Sequence, residues 1–419
     1  MCVEKLNVID IFAGCGGLSE GFMKAGGFNF CGFVEWNKPC CETLALNLKN
    51  KWGDKEADKK VIRFDIQKTK ELLLGWTEKS GYELQHYSSS GIGKIRDDCG
   101  SVDIIIGGPP CQAYSIAGRI RDENGMEDDY RNYLFESFID VVEFFKPDLF
   151  IFENVVGMLS AAPGGKPVTE RIKKVFNAHG YEIVDDLRKY AVLNTADYGV
   201  PQNRKRIIIV ALNKKKFNAH SQEILKQFYT QIMPSLKIGK ITTVRSAIGD
   251  FPKFFPNKSP TLAKKTPYVP TTSSLPNHYP RFHNRRDIKI FRELAKDAQN
   301  GQKKYSDASA LKNLYTKKTG RTSSLHKYHV LKWNEPSTAI VAHLHKDGLR
   351  HIHPDFEQAR SITVREAAKL QSFDNEFSFS GSQSDQYRMI GDAVPPLFAK
   401  AVAEGVKILV RNAGKIKEF

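Results

Sequence analysis

The feature that most constrains the fold of this chain is a short apolar run at residues 102–106 that ends in the sequence GGPPCQ at residues 107–112. Such a run predicts a buried strand. The two prolines stop the strand, because each fixes φ and lacks a backbone N–H group, so they turn the chain and present the thiol of Cys111. Open α/β sheets place their ligands at the carboxyl ends of their strands. A lone cysteine is more often a buried structural residue, so the neighbouring motifs have to decide.

A second strand-to-helix junction lies at the start of the chain. Residues 6–12 predict a first strand, residues 13–17 (AGCGG) a turn, and residues 18–25 the opening of a helix. Glycines in such a turn let the backbone approach a ligand at the helix N-terminus. The pattern departs from GxGxxG, because Ser19 occupies the position of the third glycine. This departure argues against a dinucleotide oxidoreductase, whose cofactor pyrophosphate needs all three glycines.

Two further predicted strands end in carboxylates. The second strand ends in Glu35, 21 residues beyond Gly14, which is the spacing at which an acidic residue reaches the hydroxyl groups of a ribose. Trp36 follows and can stack on a purine. A third apolar strand at residues 61–64 ends in Asp65, which can accept a hydrogen bond from an adenine amino group. Each acid alone is an ordinary solvated strand end, but the succession of three strand ends predicts an adenosine cofactor without a pyrophosphate.

The middle of the chain repeats the pattern of a buried strand next to charged residues. One apolar strand ends in Glu153, and Arg204 and Arg206 precede another at residues 207–211. Because alternate residues of a strand share a face, we expect the two guanidinium groups to point the same way. By itself, such an arginine pair indicates either a phosphate site or a solvated surface.

Together these motifs resemble those of the DNA cytosine C5-methyltransferase family. The resemblance rests on GPPCQ after an apolar strand, FxGxGG followed by Glu-Trp and then Asp, ENV at residues 153–155, QxRxR at residues 202–206, and QYRMIGDAVPP at residues 386–396. It spans residues 6–211 and 360–410. The family implies an α/β fold with a doubly wound, mostly parallel, Rossmann-like sheet and a smaller basic target-recognition domain across a cleft.

The resemblance also implies the chemistry. The thiolate of Cys111 attacks C6 of cytosine, and Glu153 supplies a proton or hydrogen bond at N3, because this addition puts negative charge into the ring. C5 then becomes nucleophilic enough to take a methyl group from S-adenosylmethionine. Arg204 is expected on the flipped base, with Arg206 as a supporting contact. The polar segment at residues 112–130 is a candidate lid, expected to close over the DNA.

The remaining site residues follow from the same resemblance and fall into two groups. The expected cofactor contacts are Phe12, Gly14, Gly16, Gly17, Glu35, Trp36, Asp65, Ile66, Pro110, Leu134, Asp392 and Val394. The expected DNA contacts are Gln112, Ser115, Arg119 and Gln202, the last as an orienting group. Asp392 stands where the family has asparagine, and a carboxylate there can still accept a hydrogen bond from a hydroxyl or ammonium group.

The net charge of +16 is concentrated in one segment. Residues 213–350 contain 27 Lys and Arg against 8 Asp and Glu, whereas the remainder contains 36 against 39. This asymmetry indicates a polyanionic partner, with nucleic acid as the leading candidate. The family resemblance implies that this partner is double-stranded DNA. We divide the chain into a catalytic and cofactor-binding domain (1–212), a target-recognition domain (213–358) and a returning C-terminal segment (359–419). Residues 214–216 (KKK) are candidates for phosphate contacts.

The cysteines and histidines favour neither disulfides nor metal binding. All seven cysteines lie within the first 111 residues without a CxxC pair, which suits a reducing cytoplasm. Two His-x-His pairs, at residues 343–345 and 351–353, have no cysteine near them in the sequence, so we expect no metal. At the start of the C-terminal segment 359–419, Thr363 is a predicted helix N-cap, with Glu366 three residues later completing a capping box.

The sequence leaves some alternatives open. An RNA cytosine C5-methyltransferase of the same fold is the main one, and methyl transfer to DNA or to transfer RNA separates the two. A catalytically inactive nucleic-acid-binding homologue is disfavoured, because Cys111, Glu153 and Arg204 are all present. The sequence has no run of eighteen apolar residues, so we expect no membrane span. We expect a monomeric cytoplasmic enzyme that protects DNA from a companion restriction endonuclease.

Overall fold

The chain packs as two units. The first comprises Met1–Tyr198, Lys205–Ile238 and Val394–Phe419, and the second comprises Gly199–Arg204 and Gly239–Ala393. The computed structural model describes residues 5–77, 85–110, 134–217, 220–257, 268–270, 275–324 and 326–416. Four residues expected in the site, Cys111, Gln112, Ser115 and Arg119, lie outside these ranges, as does the candidate lid.

Within the described residues, an eight-stranded sheet forms the centre of the first unit. In chain order, its strands are β1 (Leu6–Ile11), β2 (Phe28–Glu35), β3 (Val61–Arg63), β4 (Ile104–Gly107), β5 (Leu149–Val155), β6 (Tyr181–Glu182), β7 (Val192–Asn194) and β9 (Lys205–Asn213). The strand between the last two, β8 (Gln202–Asn203), belongs to the second unit. The order across the sheet is β3-β2-β1-β4-β5-β9-β6, and β7 also pairs with β9. Strands β3, β2, β1, β4 and β5 are parallel, whereas β9 is antiparallel to β5, β6 and β7. The predicted mostly parallel α/β sheet is confirmed.

The central strands are apolar along their length because helices cover a parallel sheet on both faces. The three isoleucines of β4 are buried, as are Phe150 and Phe152 of β5. Phe138, from the helix Leu134–Phe145, packs edge-on against both phenylalanine rings, with centroids 5.4 and 5.3 Å apart. The continuous apolar runs therefore reflect burial on two faces, which is why they predict strands without an alternating pattern.

Helices surround this sheet. The described part of the first unit contains Gly17–Ala25, Lys38–Asn50, Ala57–Lys60, Thr69–Leu74, Ile95–Cys99, Leu134–Phe145, Val168–Ala178, Leu187–Tyr190, Lys214–Phe217, Ser221–Gln227, the π turn Phe228–Ile232, Met233–Ser235 and Pro396–Ile416. The last of these packs against the first, and Nζ of Lys407 donates a hydrogen bond to the carbonyl oxygen of Ala25 (2.5 Å). None of the described helices is both long and apolar enough to span a membrane.

The packing units differ from the predicted segments at three places. Gly199–Arg204, which were predicted in the catalytic domain, belong to the second unit. Residues 213–238 belong to the first unit. The reason is that their helices lie on β9, where the hydroxyl of Tyr229 donates to the carbonyl oxygen of Ile208 (2.8 Å) and accepts from the amide of Val210 (2.9 Å). Residues 359–393 belong to the second unit, whereas the sequence analysis joined them to the C-terminal helix.

The second unit combines short strands with helices. Strand β8 pairs in parallel with β12 (Ser337–Thr338), and β10 (Phe254–Pro256) pairs antiparallel with β11 (Tyr268–Pro270). Its described helices are Val244–Ile248, Arg285–Asn300, Ala308–Thr319, Val364–Leu370 and Gln383–Asp392, with the 3₁₀ turn Ala342–His345. An apolar cluster of this unit comprises Ile290, Phe291, Leu294, Leu314, Tyr328 and Ile352.

A buried ion pair fixes the start of the helix Val364–Leu370. The two Nη atoms of Arg360 donate to the carboxylate of Glu366 at 2.6 and 2.7 Å. That carboxylate also accepts from the amide of Thr363 (2.7 Å), while Oγ1 of Thr363 accepts from the amide of Glu366 (3.1 Å), so the predicted capping box is confirmed. Burial alone would raise the pKa of Glu366, but the charge and the hydrogen bonds of Arg360 outweigh it and hold that pKa below its ordinary value.

Several histidines of the second unit are buried and neutral. Burial lowers the pKa of His283 and of His353 to about 3, and that of His351 to about 4. His283 is hydrogen-bonded to the hydroxyl of Ser361 (2.9 Å), and Nε2 of His351 donates to the carbonyl oxygen of Ala339 (3.1 Å). Among the described residues, no group of three His, Cys, Asp or Glu side chains could hold a metal ion.

We expect the free energy of unfolding to fall as the pH drops below 6.5. The three buried histidines are neutral in the fold and take up protons only on unfolding, so the stabilisation present above pH 6.5 is lost toward pH 4. Burial raises the pKa of Asp10 to about 8, so Asp10 is protonated in the fold and releases its proton on unfolding. This release offsets the uptake by one of the histidines. For these four groups, a net uptake of about two protons on unfolding predicts a loss of about 3 kcal/mol per pH unit near pH 5. Burial also lowers the pKa of His278 and His329, which adds to this loss.

Urea unfolding followed between pH 7.5 and 4.5 measures this slope. His351→Gln should reduce the slope by the contribution of about one proton, because the variant lacks one of the three buried histidines. His220→Gln, at an exposed position, should leave the slope unchanged. An unfolding midpoint that does not vary with pH over this range would contradict the assignment of neutral buried histidines.

Candidate functional site

One edge of the sheet collects the carboxyl ends of the parallel strands and the beginning of β9. Gly107, the last residue of β4, is in register with Ile11 of β1 and with Phe152 of β5. Because β9 is antiparallel to β5, its beginning lies at the same edge, and Arg206 stands opposite Val155. Residues at the ends of strands that are distant in sequence therefore meet here.

Glu35, at the end of β2, holds the glycine turn that follows β1. Its Oε2 accepts a hydrogen bond from the amide of Gly14 (2.8 Å), and its Oε1 accepts one from the amide of Asn37 (2.7 Å). Gly14 has φ +58°, and a Cβ built there would meet nothing within 4 Å. The turn therefore borders open space on this side, as a surface that receives a ligand must.

The same turn delivers the N-terminus of the helix Gly17–Ala25. Gly16 caps the helix with φ 90°, a left-handed conformation that glycine adopts without strain. Phe12 has φ 60°, which a side chain rarely adopts and which costs on the order of 1–3 kcal/mol. The amides of Gly17 and its successors thus begin a helix at the sheet edge, where they can face an electron-rich ligand group.

The expected adenine-binding residues stand at the ends of β2 and β3. The amide of Phe64 donates to the carbonyl oxygen of Glu35 (3.0 Å), so Asp65 follows directly beside the end of β2. Oδ1 of Asp65 accepts from the amide of Gln67 (3.1 Å), and Ile66 is buried. Trp36, the residue expected to stack on a purine, is 59% exposed.

Four other expected cofactor residues lie in different surroundings. Pro110 is exposed at the end of the described part of its motif, and Leu134 is buried at the start of its helix. Val394 is buried in the first unit, just before the C-terminal helix. Asp392 is exposed at the end of the helix Gln383–Asp392 of the second unit.

Asp10 and Ser19 form a buried pair that the sequence analysis missed. The hydroxyl of Ser19, on the helix after the glycine turn, donates to Oδ2 of Asp10 in β1. Burial raises the pKa of Asp10 to about 8, with the Ser19 hydrogen bond lowering it and the charge of Glu35 raising it further. Ser19 thus ties the helix to the strand, rather than only interrupting a glycine pattern. The available signal was a carboxylate within an otherwise apolar strand.

Glu153 lies directly against the segment that leads to Cys111. Its side chain is largely buried, and Nε of Arg206 lies 2.8 Å from its Oε1. A Cβ built on Gly108 would lie 2.8 Å from Oε2 of Glu153, so a larger residue at this position would displace the Glu153 carboxylate. Nδ2 of Asn154 lies 3.4 Å from the carbonyl oxygen of Pro109. Asn154 belongs to the ENV motif, but the sequence indicated no role for it.

Arg204 differs from the expectation that it faces the base together with Arg206. Its guanidinium group is buried in the second unit, where Nη2 donates to the carbonyl oxygen of Gly391 (2.8 Å) and Nη1 to that of Ile340. The physical reason is that Arg204 lies between β8 and β9. The alternation of faces within one strand therefore does not extend from Arg206 back to Arg204.

Gln202 likewise uses its amide inside the second unit, rather than in the expected DNA contact. Its Nε2 donates to Oε1 of Gln371 (2.8 Å) and lies 3.3 Å from the carbonyl oxygen of Leu370. Its Oε1 accepts from the amide of Ile340 (2.8 Å), and the side chain is fully buried. Gln202 and Arg204 thus both hold Ile340, which fixes the chain next to β12.

A Rossmann-like methyltransferase is the class of protein that this sheet and its edge define. The chain belongs to the C-5 cytosine-specific DNA methylase family, whose model matches residues 6–407. It is a DNA (cytosine-5-)-methyltransferase, as the motifs predicted.

Comparison with individual proteins agrees with this assignment. The chain is 33% identical to the type II methyltransferase M.Bpa9945I of Bacillus paralicheniformis, over 97% of this chain and 99% of that protein. It is 30% identical to the type II methyltransferase M1.HphI of Haemophilus parahaemolyticus, over 96% and 87% of the two chains. Among solved structures, a prophage-encoded Escherichia coli protein assigned as a DNA modification methyltransferase has a TM-score of 0.60 at 23% identity, covering 97% and 100% of the chains. The Entamoeba histolytica methyltransferase EhMeth has a TM-score of 0.56 at 14% identity, covering 98% and 99%, and shares the fold.

Gly108→Ala should impair methylation at least about tenfold, because its methyl group would press on Oε2 of Glu153 and displace the carboxylate. Gly239→Ala is the matched control, since a Cβ at Gly239 would meet nothing within 4 Å. Incorporation of labelled methyl groups into DNA gives the rate, and thermal unfolding shows that both variants fold. Equal rates for the two variants would mean that the close approach to Glu153 is unimportant.

Proposed function

We propose that this chain transfers a methyl group from S-adenosylmethionine to C5 of cytosine at a specific site in double-stranded DNA, through a covalent bond between Cys111 and C6 of a flipped base. The observation that carries the proposal is the approach of Gly108 to Glu153 and of Pro109 to Asn154 at the sheet edge, where Arg206 is paired with Glu153. Cys111 is the next residue after this segment, and the glycine turn held by Glu35 follows the neighbouring strand β1.

The cofactor proposal is supported by the donors and acceptors at the ends of β1, β2 and β3. Glu35 accepts hydrogen bonds from the backbone amides of Gly14 and Asn37, which fix its carboxylate at the sheet edge, where it can also accept from a ribose hydroxyl group. Trp36 offers an exposed ring face, and Asp65 a carboxylate for an amino group. Bound S-adenosylmethionine would supply an electrophilic methyl group on a sulfonium.

The role of the chain in the reaction is to activate C5 of the base. The thiolate of Cys111 forms a bond to C6, and the electron pair released in the ring is stabilised by a proton at N3 from Glu153. C5 then carries the nucleophilic electron pair that accepts the methyl group. N3 returns its proton to Glu153, and loss of the proton from C5 to water then restores the C5–C6 double bond and expels the thiolate. Both Cys111 and Glu153 are thereby returned to their starting states.

The two carboxylate oxygens of Glu153 have different surroundings, and we assign them different roles. Oε1 is held by Nε of Arg206 at 2.8 Å, so the carboxyl group cannot rotate freely. Oε2 is on the side of Gly108, toward the segment that leads to Cys111. We assign Oε2 to N3 of the base and Arg206, in place of Arg204, to positioning the carboxyl group.

The substrate proposal combines the family and the charge. The DNA methylase family, together with relatives named type II methyltransferases, favours DNA over the RNA alternative. The second unit carries 27 Lys and Arg against 14 Asp and Glu, whereas the first carries 36 against 33, so the second unit is the better partner for the DNA backbone. The type II relatives also support a companion restriction endonuclease, from which methylation would protect the DNA.

Cys111→Ala should abolish methylation, because no other group of the proposed mechanism can add to C6. Cys40→Ala, which removes a half-buried thiol on the helix Lys38–Asn50, is the control and should retain activity. Methyl incorporation into plasmid DNA and into transfer RNA gives the activity and decides between the two nucleic acids. Bisulfite sequencing of the plasmid then gives the methylated sequence.

A covalent trap tests the same step independently. A long PCR product made with 5-fluorocytosine should become covalently linked to the wild-type chain and to Cys40→Ala in the presence of S-adenosylmethionine, because fluorine at C5 cannot leave as a proton does. Cys111→Ala should form no such complex on a denaturing gel. Full turnover by Cys111→Ala would contradict the proposed nucleophile.

A further inference from the structure

The helix Arg285–Asn300 carries a stripe of four basic residues on one side. Arg285, Lys289, Arg292 and Lys296 follow each other at intervals of four, three and four residues. At about 100° per residue, they fall within about 60° of one another around the helix axis. All four are exposed. The stripe extends along about 16 Å of the helix.

The orientation of this stripe is fixed by the apolar side of the same helix. Ile290, Phe291 and Leu294 are buried in the apolar cluster of the second unit, and Ile288 packs in a second cluster with Phe254. The helix is also fixed at both ends, since the Asn284 side chain caps its first turn and Gly301 ends it in a left-handed conformation. The basic side therefore faces away from the core of its own unit.

The carboxylates of this helix are engaged elsewhere. Asp287 pairs with Arg286 and with the Asn284 cap. The carboxylate of Glu293 accepts a hydrogen bond from the hydroxyl of Tyr305. This hydrogen bond and the charges of Lys318 and Lys304 hold the pKa of Glu293 below its ordinary value. Asp297 accepts from the amides of Lys304 and Tyr305 at 3.0 Å each. Within the described part of the chain, none of the four stripe cations has a carboxylate within ion-pair distance.

We propose that this stripe, Arg285–Lys289–Arg292–Lys296, binds the phosphate backbone of duplex DNA independently of sequence. The inference rests on the proposed function, since it assigns a surface to the DNA on which the enzyme acts. Charge complementarity selects the partner: one strand of DNA carries a phosphate every 3.4 Å along the axis, so about five phosphates match the length of the stripe. Arginine and lysine side chains are the usual partners of these phosphates, and such contacts position a protein without reading bases.

The lysines at residues 214–216, which the sequence analysis favoured for phosphate contacts, stand in a different place. Strand β9 ends at Asn213, whose amide donates to the carbonyl oxygen of Asp148 just before β5 begins (2.9 Å). Residues 214–216 therefore follow the end of β9 that is opposite to the end carrying Arg206. Lys216 pairs with Asp148, and Lys214 is hydrogen-bonded to Asn177. Lys215 is exposed at this far edge, which makes it a control for a change of charge.

The test is the salt dependence of binding to a fluorescein-labelled 30-base-pair duplex of arbitrary sequence. One variant replaces all four stripe residues by glutamine, which supports a helix nearly as well as lysine and arginine. Its matched control exchanges lysine and arginine at the same four positions and so keeps every charge. Each lost phosphate contact should reduce the slope of log K against log salt by about 0.9, so the glutamine variant should lose about 3 to 4 units and the exchanged variant almost none.

Single substitutions keep the test decisive if the fourfold variant does not fold. Lys289→Gln should reduce the slope by about one unit, whereas Lys215→Gln should leave it at the wild-type value. Equal slopes for wild type, Lys289→Gln and Lys215→Gln would overturn the proposal, as would an unchanged slope for a folded fourfold variant.

Methylation of plasmid DNA at low salt and saturating protein separates this proposal from the proposed function. The glutamine variants should still methylate the same cytosines as the wild type under these conditions, because the stripe contacts no base. If the wild type methylated no cytosine while the slopes differed as expected, the proposed function would fail and the stripe would remain a DNA-binding surface.

Discussion

The antiparallel pairing of β9 with β5 is the constraint on which the site depends. In a wholly parallel sheet, the residues that begin a strand would lie at the edge opposite to the ligand-binding one. Because β9 runs the other way, Arg206 at its start stands beside Val155, and its guanidinium group reaches Glu153. The register of one strand pair therefore brings together two charged groups that are 53 residues apart in the sequence.

The parallel strands supply the rest of the edge. β4 is followed by Gly108, where the backbone passes against Glu153, and β1 is followed by the turn that Glu35 holds from the end of β2. Beneath this edge, the Asp10–Ser19 pair ties β1 to the helix that follows the turn. The first unit thus contains every described contact of the proposed catalytic edge, while the second unit holds most of the excess charge.

Features set by local chemistry could be predicted from the sequence, and those set by chain topology could not. The apolar strands and the acids at their ends are predictable because runs of apolar residues indicate burial. The Thr363 capping box is predictable because two residues three positions apart satisfy amides at the start of a helix. The role of Arg204 could not be predicted, because it depends on β8 joining β12 in another unit before β9 begins. Residues 214–216 follow the end of β9 opposite to Arg206, and a run of charge in the sequence does not show at which edge of the sheet it lies.

The account is tested most directly by a double-mutant cycle between Glu153 and Arg206, measured as single-turnover methyl transfer to DNA. If Arg206 acts by holding the Glu153 carboxyl group, Glu153→Gln removes the group that Arg206 serves. The double variant Glu153→Gln/Arg206→Gln should then be little slower than Glu153→Gln alone, and the coupling between the two positions should exceed about 1.4 kcal/mol, or tenfold in rate. Effects that simply multiply would show that the two residues act independently, and would contradict the account of the edge as one unit built by β5 and β9.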